Sequence, residues 1–114
     1  MEKIYQQALL YDFYGELLTE HQRNIYEDAV CNDMSLGEIA EENGISRQGV
    51  HDLIRRCDKI LLDYEAKLHL VERFAKAKLQ LGEILELAQA EETLNQAERT
   101  ARIRELATQL LDEL

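Results

Sequence analysis

Apolar residues recur at spacings of three and four through most of this chain, the period of one face of a helix. Ile4, Ala8, Tyr11, Tyr14 and Leu18 form the first such row, flanked by Leu9, Leu10, Phe13 and Leu17, and predict a helix with a broad apolar face over 4–18. Thr19 followed by Gln22 is a capping-box pattern, in which a hydroxyl takes the amide three residues on and the Gln reaches back. A second helix is therefore expected from residue 20 to about Cys31, burying Ile25, Tyr26, Ala29 and Val30. Ser35 with Glu38 repeats the device and opens a short third helix over 36–43. Gly44 fits the residue just past a helix end, and Ser46 is the natural cap of a fourth helix.

From Ser46 no strong breaker occurs for about forty residues. Ile54, Cys57, Leu61, Tyr64, Leu68, Val71, Ala75, Leu81, Leu85 and Ala88 form a seam interrupted only by Lys78. A helix spanning that seam would be roughly 50 Å long. Thr93 with Gln96 suggests a stop and restart, after which Ala97, Ala101, Ile103, Leu106, Leu110 and Leu111 form a last helix able to fold back on the long one. The long helix carries a second apolar row, and a helix apolar on more than one side expects more than one neighbour. A homodimer is expected, packed through Leu61, Leu68, Val71, Phe74, Leu81 and Leu85. The alternative is an intramolecular bundle in which the helix kinks near Gly82 and covers itself.

Composition agrees with helices throughout. The 114 residues include no proline and only five glycines, and Leu, Glu, Ala, Gln, Lys and Arg, which lose little rotamer freedom in a helix, dominate. The expected fold is all-α: a helix-turn-helix head over 1–62, then a helical dimerisation region over 63–114, one continuous domain without a flexible linker. No apolar run approaches the roughly 18 residues that cross a bilayer, and no basic-then-apolar leader is visible, so a soluble cytoplasmic protein without membrane insertion is expected. Cys31 and Cys57 read as buried thiols rather than a disulfide.

The formal charge is −10, but it is uneven: −5 over residues 1–34, −1 over 35–62 and −4 over 63–114. The middle segment is the least repulsive to a polyanion, and it contains the most specific motif. In "SLGEIAEENGISRQGVHDLIRRC" a helix-turn-helix requires Ile39, Ala40, Ile45, Val50 and Ile54 to face inward, with a small residue at the helix crossing. Ser46, Arg47, Gln48, His51, Asp52 and Arg55 are then left on the outer face of the second helix, with Arg56 and Lys59 further along. Arg47 suits guanine or a phosphate, Gln48 adenine, Ser46 and the first helical amides a phosphate, and Arg55, Arg56 and Lys59 the backbone beyond. About four cations meeting phosphates would give a log–log salt slope of roughly −3 to −4 per subunit.

Residues 18–61, and above all "LGEIAEENGISRQGV", resemble the promoter-reading helix-turn-helix of sigma factors. The leading "LLYDFYGELLTEHQR" and the long Glu- and Leu-rich C-terminal helix make the whole chain similar to the small YlxM family of bacterial proteins. That resemblance implies a DNA-binding regulator linked to the signal recognition particle pathway. The alternative is a non-enzymatic adaptor that binds a protein or RNA of the targeting machinery through the same head or its acidic flanks.

Other chemistry is not indicated. His21, His51, His69, Cys31 and Cys57 lack the spacings that put metal ligands on one face. Glu41 with Glu42, and Glu91 with Glu92, are adjacent pairs pointing apart rather than a converging acid and base. The five tyrosines fall mostly on apolar faces, and no cofactor or enzyme signature is present.

Overall fold

The computed structural model describes residues 3–89 and 95–113. Among the described residues six helices run in the order α1 (Lys3–Tyr14), α2 (Glu20–Val30), α3 (Leu36–Asn43), α4 (Arg47–Leu68), α5 (Leu70–Gln89) and α6 (Gln96–Glu113), with one 3-10 turn at Gly15–Leu17. The chain forms two compact units, one ending at Val71 and the other beginning at Glu72.

In the first unit the caps read from the sequence are in place. Thr19 Oγ1 accepts from the Gln22 amide at 3.2 Å while the Gln22 side chain accepts from the Thr19 amide at 3.0 Å. Ser35 and Glu38 make the same reciprocal pair. Those bonds to Ser35 hold the Glu38 carboxyl below its usual value.

Helix α4 is the spine. Cys57 and Leu61 join Leu10, Tyr14, Leu18 and Tyr26 in one core cluster. Val50 joins Ile25, Ile39 and Ala40 in another, and Leu53 and Ile54 pack against both. Burial and the neighbouring Asp58 charge push the Cys57 thiol up to about 11, so it stays neutral and packs as a small hydrophobe. Three expectations fail here. Cys31 is exposed, because α2 ends at Val30 and the chain turns outward. Ile45 is 37 % exposed, since the turn beside Gly44 lifts it out of the crossing that Ile39 and Val50 fill. Leu61 is 0 % exposed, so the head's own core uses its entire surface and none is left for a second subunit.

Two carboxylates on α4 fasten α1 and α2 to it. Asp58 Oδ1 accepts from the Tyr26 hydroxyl at 2.6 Å and from Gln7 Nε2 at 2.9 Å. Seven residues on, Glu65 Oε1 accepts from the Tyr14 hydroxyl at 2.5 Å. Burial is the main reason both phenols ionise less readily than usual, and their carboxylate partners add to it.

The same Tyr14–Glu65 pair explains why the forty-residue helix expected from the apolar seam is interrupted. His69 takes a left-handed conformation, with φ 56°, and ends α4. The Leu70 amide then donates to the Tyr14 hydroxyl at 3.1 Å and the Val71 amide to Glu65 Oε1 at 3.0 Å. Side chains from the head thus satisfy amides that a continuous helix would have bonded internally. No glycine or proline marks the break, and α5 runs through Gly82 without interruption.

The second unit pairs the rest of α5 with α6. Leu106 is buried, and Gln80, 9 % exposed, donates to Gln109 Oε1 at 3.2 Å. Arg102 bonds Glu83 at 3.0 Å and Glu105 at 3.2 Å. Lys76 pairs with Glu113. These exposed ion pairs orient the helices more than they stabilise them. The expected Thr93 cap lies outside the described residues; Asn95 caps α6, its side-chain oxygen accepting from the Glu98 amide at 2.8 Å. Leu79 and Leu111 remain 78 % and 74 % exposed, and Leu81 and Leu85 more than half exposed.

Candidate nucleic-acid interface

The interface begins at the turn. Gly44 has φ 65°, a left-handed conformation that costs glycine little, and its amide closes α3 on the Ala40 carbonyl. Two residues later Ser46, in extended conformation, caps α4 by accepting the Gly49 amide at 2.9 Å. A Cβ at Gly49 would lie 3.1 Å from that hydroxyl, so the missing side chain leaves room for the cap. Ala40 supplies the small residue where α3 and α4 pack. The result is two helices joined by a tight turn, with the start of α4 projecting.

Helical geometry then sorts the side chains. At about 100° per residue, Gln48, Asp52, Arg55 and Lys59 share an arc about 60° wide, diametrically opposite the buried line Val50, Cys57 and Leu61. All four are exposed, as are Ser46, Arg47, His51 and Arg56. Of the eight residues expected at the interface, Gln48, Asp52, Arg55 and Lys59 hold the outward arc, His51 and Arg56 stand beside it, Arg47 is at its margin, and Ser46 caps the helix.

Three details were not read from the sequence. Arg47 folds back over α3, its guanidinium within 3.1 Å of where a Cβ on Gly37 would stand, so it flanks the face instead of leading it. Gln48 Nε2 donates to Asp52 Oδ1 at 2.9 Å, and His51 Nδ1 lies 3.8 Å from the same oxygen. The i, i+4 spacing of Gln48 and Asp52 was the available signal for that bond. Asp58 turns inward to Tyr26 and Gln7, which leaves Asp52 as the one carboxylate on the outward face of residues 46–60.

A tight-turned helix pair with a polar, cation-bearing outer face on its second helix defines a helix-turn-helix protein. The chain belongs to the UPF0122 family, described as "Putative helix-turn-helix protein, YlxM / p13 like", which it matches over residues 1–109. A UPF0122 protein of Acetivibrio thermocellus is 41 % identical over 114 residues, covering 100 % of this chain and 97 % of that one. One from Desulforamulus reducens is 44 % identical over 87 residues, 76 % of this chain and 74 % of its own. One from Clostridium botulinum is 45 % identical over 86 residues, 75 % and 79 % of the two chains. No helix among the described residues is long and apolar enough to cross a membrane.

Proposed function

We propose that this protein is a non-enzymatic, cytoplasmic regulator that binds duplex DNA by laying the start of α4 in the major groove. The observation that carries the reading is the outward arc of α4, where Arg55 and Lys59 stand one turn apart with Arg56 beside them and the core-facing side chains all point the other way. Arg55, Arg56 and Lys59 contact phosphates, Arg47 guards the flank nearest α3, and Ser46 and the first amides of α4 take a further phosphate. Gln48 and His51 reach base edges. The acidic flanks, −5 over residues 1–34 and −4 over 63–114, suppress random attachment to nucleic acid. Crosslinking in living cells followed by recovery of the bound DNA tests this. Enrichment at discrete sites, lost in a chain carrying R55A and K59A, is the expected result; recovery equal to an untagged control contradicts it.

The active form we propose is a homodimer. The second unit buries little of its apolar surface, and Leu68, Phe74, Leu81 and Leu85 are each more than two-fifths exposed; Val71 stays with the head, packed against its core. Two copies would present two recognition helices to one duplex. Sedimentation at micromolar concentration should give twice 13.2 kDa, and L81E with L85E should return the chain to a monomer. A wild-type monomer refutes the dimer.

A second reading is favoured by α3, which exposes Glu38, Glu41 and Glu42 around a shallow groove with Met34. Such a face suits a basic partner. It is the form that a protein-binding adaptor role within the signal recognition particle pathway would take.

A further inference from the structure

Asp52 is the residue most at odds with a phosphate-facing helix. Its carboxylate is 56 % exposed and sits on the outward arc between Gln48 and Arg55, where a negative charge weakens attraction to any DNA. It is nevertheless held in place. Gln48 donates to Oδ1 at 2.9 Å and His51 Nδ1 stands 3.8 Å from that oxygen, while Oδ2 accepts from no donor among the described residues.

The geometry points to Asp52 as a base reader, its free oxygen accepting from the N4 amino group of a cytosine in the major groove. This rests on the duplex-binding reading above. A carboxylate is an acceptor with no hydrogen to donate, and among base edges in that groove the cytosine amino group is the donor it pairs with best. Fixing Oδ1 by Gln48 orients the carboxylate before DNA arrives, so less side-chain freedom is lost on contact. The bond also aligns Gln48, whose second amide hydrogen and Oε1 remain as a donor and an acceptor for an adjacent adenine. Asp52 therefore acts in two opposite senses: it weakens binding to all duplexes and strengthens it to those with cytosine at one position.

Selection from a library of random-sequence duplexes, run on the full chain at one fixed salt concentration, separates these effects. The wild type should enrich sites with one strong cytosine position. D52A should flatten that position, losing about tenfold preference. D52N, whose amide both donates and accepts, should move the preference toward adenine. Both variants should bind a scrambled duplex about two- to threefold more tightly, the size of one unit repulsion at roughly 8 Å in water. A cytosine position unchanged in both variants, or scrambled-duplex binding that weakens, overturns the assignment and leaves duplex binding standing. A wild type that enriches no sequence overturns both.

Discussion

Leu61→Ala should lower the stability of the head by about 2–5 kcal/mol, the range found when a fully buried leucine is truncated and its cavity only partly collapses. Leu61 is 0 % exposed and packs with Leu10, Tyr14, Leu18, Tyr26 and Cys57, so the deletion opens a hole where α1, α2 and α4 converge. A small domain is stable by only about 5–15 kcal/mol, so this loss is a large fraction of the total. Urea denaturation with the first unit's tyrosine fluorescence as the probe reads it directly. Leu17→Ala, at a head position 55 % exposed and outside the proposed dimer surface, should shift the same transition by less than about 0.5 kcal/mol. Equal effects from the two variants would mean that Leu61 is not part of the head's core.

The second large effect concerns binding. R55A with K59A removes the two cations nearest the centre of the outward arc and should weaken duplex affinity by roughly ten- to a hundredfold at low salt, because each is assigned to a phosphate. Neither residue touches the core, so the melting transition should not move by more than about 0.5 kcal/mol. Fluorescence anisotropy with a labelled duplex measures the loss, and the unchanged melting curve shows that the head is still folded. Undiminished affinity would place the DNA elsewhere on the chain.

Much of this molecule was legible in the sequence because it is encoded locally. Thr19, Ser35 and Ser46 are followed at fixed offsets by the groups that complete their caps, and Gly44 is the one residue between α3 and α4 whose missing Cβ suits a left-handed turn. The starts of α2, α3 and α4 and the end of α3 followed from those four residues. The outward face of α4 was legible for the same reason, since once Val50, Cys57 and Leu61 point inward the period fixes what points out.

What was not legible depends on contacts between distant residues. The break at His69 is held by a tyrosine more than fifty positions earlier, and the seam continues through it without a change of period. Nothing local marks Asp58 as tied to the core, because its partners, Tyr26 and Gln7, come from two other helices. Arg47 appeared to lead the recognition helix, yet the space over Gly37 lets it lie back along α3. For Asp58 and Arg47 a tertiary neighbour set the direction of one side chain, and at His69 distant side chains broke a helix that the period alone continued.

The central claim is that the outward face of α4 neutralises phosphates, and the salt dependence of duplex binding tests it most directly. The log–log slope of affinity against salt should be roughly −3 per subunit, and R55A with K59A should make it shallower by about 2. A slope near zero, or one that the double variant leaves unchanged, would contradict it.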